Sequence, residues 1–242
     1  MIHGRKVCVV VPARGGSKGI PRKNLYKLDG ISLVERSVRL ARKCAAVDLI
    51  LVSTDDLEIY ALSQRLEAAT PSLRSSTLAS DSAKTIDLIR ELVKDAVLSE
   101  DDCILLLQPT TPLRTLADIT TACDLLKRQW NSADAVVSVE AVDGPHPYKM
   151  QAICNGYLNT LMGGDATVPR QSLPAAYLPN GAIYFAKINV LLRENTFMPK
   201  RSIPYVMPAI QSINLDSPLD LLLLEAVIER GLAAQALSDS GG

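Results

Sequence analysis

Three glycines and four cations crowd into VPARGGSKGIPRKN, residues 11–24. Gly15, Gly16 and Gly19 let the backbone approach a ligand closely. Successive N–H groups in such a loop can form a nest for an anion. Arg14, Lys18, Arg22 and Lys23 add positive charge to the same turn. An exposed basic loop is the plain alternative. Placement favours a polyphosphate site, because the segment follows directly on KVCVVV (6–11), a run suited to a strand buried on both faces. The spacing is neither the G-x-x-x-x-G-K-[ST] of a P-loop nor the G-x-G-x-x-G of a dinucleotide turn, which weighs against an ATPase of that type and against a dehydrogenase.

Other polar residues stand where chemistry or capping would use them. Gln108 ends the otherwise apolar run CILLLQ (103–108), and a polar amide there needs partners. Asp55 and Asp56 end LILVS-TDD, and Asp55 with Glu58 three residues on reads as a helix cap. Thr85 is either a helix-start residue or a ligand contact, and Asp81 either a cap or a ligand residue. Arg114 is either a surface residue near the next cap or a partner for a carboxylate. Asn180 precedes Gly181 and could simply make a turn. Asp216 offers a hard anionic oxygen and Asn214 a neutral one, a set that Mg2+ accepts when phosphates and water complete its shell. Ser217 competes with Asp216 for the cap of the last long helix.

These residues need a scaffold, and the patterning predicts one. Apolar runs at 6–11, 49–53, 103–108 and 135–140 alternate with helical periodicity at 32–45, 56–68, 84–97 and 115–129. Ser32, Thr115 and Ser217 each precede an acidic residue by three positions, the spacing of a capping box, and Pro218 suits a first helical position. Such alternation implies an α/β fold with a mostly parallel sheet flanked by helices, its ligands lying beyond the carboxyl ends of the strands. After residue 144 the pattern changes. MQAICNGYLNTL (150–161) reads as a β-ribbon around Asn155-Gly156. Further strands are expected at 182–187 and 203–207, a helix at about 217–231, and a frayed tail at ALSDSGG. The chain reads as a single domain over 1–242, with a ribbon arm at about 145–178.

Composition removes several classes. The 242 residues are 48% hydrophobic, enough for a sizeable core. Lys+Arg and Asp+Glu are 26 each, so no global charge points to nucleic acid or to a membrane surface. The five cysteines are scattered without close cysteine or histidine pairs and read as reduced thiols rather than zinc ligands. No apolar run reaches the roughly 20 residues that span a bilayer, and MIHGRK lacks the apolar region of a signal peptide. A cytoplasmic protein is expected.

The loop at 11–24, STDD (53–56), LASDSAKT (78–85), LLLQPTTPLR (105–114), RQSLP with LPNGAIYF (170–185) and SINLDSPLDL (212–221) occur in the order found in the N-acylneuraminate cytidylyltransferase family, which the chain resembles from about residue 6 to 230. The resemblance implies a Rossmann-like nucleotidyltransferase fold. It implies transfer of CMP from CTP to the anomeric hydroxyl of a nine-carbon 2-keto-3-deoxy sugar acid, with Mg2+ or Mn2+ assisting. By position, Arg14, Gly15, Ser17, Lys23 and Asn24 would hold the triphosphate, Lys23 neutralising charge at the α-phosphate. Arg74, Asp81, Ser82 and Thr85 would hold the nucleoside. Gln108, Thr110, Arg170 and Asn180 would face the sugar, Arg170 reaching in from a partner subunit of a homodimer, and Asp216 and Asn214 would hold the metal. Arg14, Lys23 and Asp216 are thus the expected catalytic set. Three positions depart from the family pattern. Arg74 stands in RSS where Arg-Pro is usual, Asn214 replaces one carboxylate of Asp-x-Asp, and Leu178 replaces an arginine before Pro-Asn-Gly, which implies an altered sugar of the legionaminic type. An eight-carbon sugar such as Kdo, or a weakly catalytic nucleotide-sugar-binding homologue, are the alternatives.

Overall fold

The computed structural model describes residues 1–17, 19–68, 70, 73–74, 84–142 and 144–241. Lys18, Asp81 and Ser82 lie outside those residues. The strands are β1 (Val7–Pro12), β2 (Lys27–Leu28), β3 (Ile31–Ser32), β4 (Leu49–Ser53), β5 (Cys103–Leu106), β6 (Ala135–Ala141), β7 (Gln151–Cys154), β8 (Tyr157–Thr160), β9 (Tyr177–Lys187) and β10 (Ser202–Met207). The helices are α1 (Leu33–Lys43), α2 (Leu57–Arg65), α3 (Thr85–Lys94), α4 (Leu116–Arg128), α5 (Ile188–Glu194), α6 (Pro218–Glu229) and α7 (Ala234–Ser240).

Six strands form one sheet in the order β10-β6-β9-β5-β1-β4. All neighbours are parallel except that β9 runs antiparallel to both β5 and β6. The centre is apolar on both faces, as the β-branched runs require. Val9, Val11 and Leu105 pack with α1 and α4 residues such as Val38 and Ile119 on one face. Val10, Ile104 and Leu106 pack with Ile89 of α3 and Leu191 of α5 on the other. The strand expected at 182–187 begins five residues earlier, at Tyr177. Its first half carries Pro179, Asn180 and Gly181, which hide a strand from pattern reading.

The helix starts follow their side chains. Thr115 and Ser217 head reciprocal capping boxes with Asp118 and Asp220, and Ser32 Oγ accepts the Glu35 N–H at 3.3 Å. One cap differs from expectation. Asp56, not Asp55, caps α2, its Oδ1 accepting the N–H groups of Glu58 at 2.9 Å and Ile59 at 3.0 Å. The cap must directly precede the first helical residue, Leu57, and only Asp56 does. Asp55 is left for another task.

The tail is also not frayed. Residues 234–240 form α7, with Ala236 and Ser240 buried against the cluster that holds Leu224 and Val227. Arg36 of α1 donates to Ser240 Oγ at 2.6 Å and to the Leu28 carbonyl. Asp239 accepts the Leu116 N–H at 2.8 Å, so the tail supplies an extra acceptor at the start of α4. Such a short helix owes its stability to docking rather than propensity, which is why its polar composition conceals it.

The ribbon forms as read. β7 and β8 pair only with each other across Asn155 and Gly156, both at positive φ (53° and 83°), as a two-residue hairpin turn requires. Ile153, Tyr157 and Leu158 on it are more than two-thirds exposed. Of the cysteines, Cys8, Cys44, Cys103 and Cys123 are buried and Cys154 is exposed, all as free thiols. No helix is long and apolar enough to cross a membrane among the described residues.

Asp239→Ala removes the acceptor at the α4 N-terminus. It is expected to lower unfolding free energy by about 1 kcal/mol, read from urea denaturation at neutral pH.

Candidate functional site

The loop after β1 is fixed from three sides. Asp55 at the end of β4 accepts the Gly15 N–H at 2.9 Å. Its neighbour Asp56 lies so close that a Cβ on Gly15 would come within 2.7 Å of Asp56 Oδ2. Asn24, in a 3-10 turn at Lys23–Leu25, donates to the Arg14 carbonyl at 2.8 Å and so ties the two ends of the loop together. Arg22, at φ 52°, turns its guanidinium outward to Asp56 at 3.1 Å and Glu58 at 2.6 Å. Burial works to raise the Asp56 pKa, but the N–H groups of Ile59 and Glu58 and the Arg22 guanidinium outweigh it and hold the carboxyl below its usual range. A depressed carboxylate contributes stability above its unfolded pKa, so this brace weakens as pH falls through that value and below.

The third side comes from the far end of the sequence. A Cβ on Gly19 would overlap the carbonyl oxygen of Asp216. Lys23 Nζ donates to the Leu215 carbonyl and sits 3.0 Å from Asp216 Oδ1. Asn214 Nδ2 donates to the other Asp216 oxygen at 2.6 Å. The segment itself is anchored from below: the Leu215 N–H donates to the Thr110 carbonyl at 2.8 Å, and Asp220 accepts the N–H groups of Asp216 and Ser217.

These pieces enclose an open cleft of about 390 Å³ beyond the carboxyl ends of β1, β4 and β5. That volume falls in the range of small-molecule sites. Arg14, Gly16, Ser17, Lys23 and Asn24 of the loop line it together with Arg74, Thr85, Gln108, Thr110, Asn214 and Asp216. Sequence segments separated by up to two hundred residues therefore meet there, as expected. Gly15 shapes the loop from behind. Thr85 is the first residue of α3, whose cap position is Lys84, so Thr85 faces the cleft rather than capping. Arg74 is held at the end of β4, donating to Ser53 Oγ at 2.7 Å and to the Ser53 carbonyl at 3.0 Å. Burial lowers its pKa, and Asp55 opposes that.

Two expected contacts are placed elsewhere, and Arg170, expected to serve a partner's site, lies away from this cleft. Asn180 does not line the cleft. It is buried, donates to Ser212 Oγ at 2.8 Å, and accepts from Ser138 Oγ at 2.5 Å and from the Ala182 N–H at 3.1 Å. Its amide is consumed in holding β9 rather than offered to a ligand. Arg114 is neither a surface residue nor a carboxylate partner. It is fully buried and donates to the carbonyls of Gln108 (2.6 Å) and Ala182 (2.8 Å) and to Ser37 Oγ (2.8 Å). Arg170 donates to the Val142 carbonyl at 2.8 Å and lines a second cleft with His146 and Pro174 at the base of the ribbon. Sequence reasoning in turn missed the bracing role of Asp55. The doublet Asp55-Asp56 was the available signal, since one cap needs only one carboxylate.

The residues present fit a divalent cation of the Mg2+ kind. No group of three or more His, Cys, Asp and Glu side chains converges among the described residues. Mg2+ does not need one when phosphates are bound, because one carboxylate plus substrate oxygens and water suffices. Asp216 provides the carboxylate. The buried amide oxygens of Asn214 and Asn24, on the same cleft, have no hydrogen-bond partner.

Comparison with known proteins gives a consistent picture. The model of the cytidylyltransferase family matches residues 8–153. The N-acylneuraminate cytidylyltransferase of Streptococcus agalactiae serotype V is 30% identical over 221 residues, covering 90% of this chain and 52% of that protein. This chain therefore spans about half the length of that relative. The CMP-N,N'-diacetyllegionaminic acid synthase of Legionella pneumophila is 30% identical over 228 residues, covering 93% of this chain and 97% of that one. Among solved structures, a CMP:2-keto-3-deoxy-manno-octonic acid synthetase complexed with CTP superposes with a TM-score of 0.66 at 17% identity, covering 93% of this chain and 99% of that one, a likeness of fold.

The Gly19–Asp216 approach yields a direct expectation. Gly19→Ala must push the loop away from Asp216 and should lower the melting temperature by several degrees. Gly144→Ala, with open space around its Cβ, should leave it unchanged.

Proposed function

The chain belongs to the cytidylyltransferase family, and from that membership we propose that it transfers CMP from CTP to the anomeric hydroxyl of a sialic-acid-like nine-carbon 2-keto-3-deoxy sugar acid, releasing pyrophosphate. The observation that carries this reading is the cleft itself. Arg14, Gly16, Ser17 and Lys23 of the β1 loop, Arg74 and Thr85, and the amide of Gln108 line one cleft.

In this reading the loop N–H groups around Gly16 and Ser17 and the side chains of Arg14 and Lys23 receive the triphosphate. The anomeric hydroxyl gives its proton to solvent and its oxygen forms a bond to the α-phosphorus as the bond to the β-phosphate oxygen breaks and pyrophosphate leaves. The chain's own work is positioning and charge stabilisation. Lys23 begins paired with Asp216. A triphosphate offers Lys23 a stronger anionic partner and releases the Asp216 carboxylate toward a cation. Asp216 and Asn214 would hold Mg2+ or Mn2+, which when bound supplies further neutralisation of triphosphate charge. Asp81 and Ser82 belong to the nucleoside side in this reading. A cytoplasmic location belongs to the same reading.

The ribbon is read as a dimer arm that brings Arg170 to the partner's acceptor site. A two-stranded ribbon is marginal alone in water. The exposed side chains of Ile153, Tyr157 and Leu158 give it an apolar surface to bury. One observation favours a second reading, binding with little turnover: Asn214 leaves Asp216 as the single carboxylate of its segment at the cleft.

Three outcomes test these points. Incubated with CTP, Mg2+ and a panel of sialic, legionaminic, pseudaminic and Kdo acids, the protein should release pyrophosphate, and with a nine-carbon acid faster than with Kdo. No release with any acid rejects the reaction. Asn214→Asp should lower the Mg2+ concentration for half-maximal rate several-fold, since a second carboxylate strengthens binding of a hard cation; recovery of turnover only in that variant would establish the second reading. Light scattering should give a dimer for the wild type and a monomer for Ile153→Asp/Leu158→Asp.

A further inference from the structure

Strand β9 leaves its register with β6 beside the cleft. Val139 pairs with Pro179 and Val137 with Tyr184, so Ser138 alone faces residues 180, 181, 182 and 183. A bulge of this size frees backbone groups that must find partners when buried. The Ile183 N–H donates to Ser138 Oγ at 2.7 Å, and the Ala182 N–H to the Asn180 side chain. The Ala182 carbonyl accepts from Arg114 at 2.8 Å. The same guanidinium holds the Gln108 carbonyl at 2.6 Å.

The bulge touches Gln108 from its other side. Gly181 stands at φ +77°, and a Cβ there would come within 2.6 Å of Gln108 Oε1. The amide of Gln108 thus lies in a slot whose floor is the glycine. Arg114 grips both the backbone that carries the amide and the backbone that forms the slot. No salt bridge pairs Arg114 among the described residues. All its hydrogen bonds go to neutral acceptors, and Asp118 acts on it through charge without a direct pair. A buried cation so held is a costly choice where packing is the sole requirement, because an apolar side chain of similar volume avoids the desolvation.

We infer that Arg114 is a positioning residue that acts through Gln108, fixing the amide in the Gly181 slot so that it presents one donor and one acceptor to a hydroxyl-rich acceptor. This rests on the proposed reaction and assigns selection of its acceptor to one slot. The effect belongs to the acceptor side. The hydrogen bonds of Arg114 go to Gln108, Ala182 and Ser37 and, among the described residues, none goes to the β1 loop, so CTP affinity should not depend on it.

A double-mutant cycle tests this. Arg114→Lys and Gly181→Ala are each expected to raise the acceptor KM roughly tenfold, the scale of one misplaced hydrogen bond, with calorimetric CTP affinity within about twofold of wild type. In a Gln108→Ala background neither should raise the acceptor KM further. Additive effects there, or a parallel loss of CTP affinity, would overturn the inference. Should Arg114→Lys fail to fold, Gly181→Ala carries the test, because its Cβ meets the Gln108 side chain. Its melting temperature loss should be smaller when Gln108 is alanine, and an equal loss in both backgrounds would overturn the slot. That melting cycle needs no turnover. If the wild type turned over no acceptor, the proposed reaction would fail while the slot was still decided.

Discussion

The backbone of Gly19 lies against the carbonyl of Asp216, and the site depends on that approach. It brings the first loop of the chain onto the last segment before α6. Only a residue without a side chain allows it. Once the two are in contact, Lys23 reaches the Leu215 carbonyl and the Asp216 carboxylate, and Asn214 closes over the other carboxylate oxygen. The contact is secured from both directions, by Thr110 beneath Leu215 and by the capping box that starts α6. A cluster of cations on a glycine-rich loop would otherwise repel itself and move. Here Arg22 is paired with Asp56 behind the loop and Lys23 with Asp216 across the cleft.

The division of labour among these carboxylates explains the open centre. Asp56 is committed to helix α2 and to Arg22, and Asp55 to the backbone of Gly15. Both lie behind the loop. Arg22 is drawn outward with them, while Arg14 and Lys23 line the cleft. Asp216 is exposed at the front, where a triphosphate and its counter-ion would compete for its partners. Structural and exchangeable ion pairs are thus segregated to opposite sides of one loop.

Much of this was legible in the sequence where a physical pattern was local. The β-branched run before the glycine-rich loop gave β1 and its exit point, and the ordered motifs brought Arg74, Thr85, Gln108, Thr110 and Asp216 to one place. Features that depend on tertiary partners were not legible. Asn180 looks like a turn residue or a ligand contact because nothing local reveals that Ser138 and Ser212 claim its amide. Arg114 looks like a surface residue because the carbonyls that bury it come from β9 and the end of β5. The docked helix α7 reads as a polar tail because its stability resides in Arg36 and in the α4 N-terminus. Asp55 reads as a cap because Glu58 lies three residues on, and nothing local reveals its hold on the Gly15 N–H.

The most direct measurement is a crystal structure of the protein with CTP and Mg2+. Expected is the triphosphate against the N–H groups of residues 15–17, with Lys23 moved from Asp216 to a phosphate oxygen and the cytosine on the Arg74 and Thr85 side of the cleft. A triphosphate bound elsewhere, or one bound in the cleft with the Lys23–Asp216 pair unbroken, would contradict the assignment.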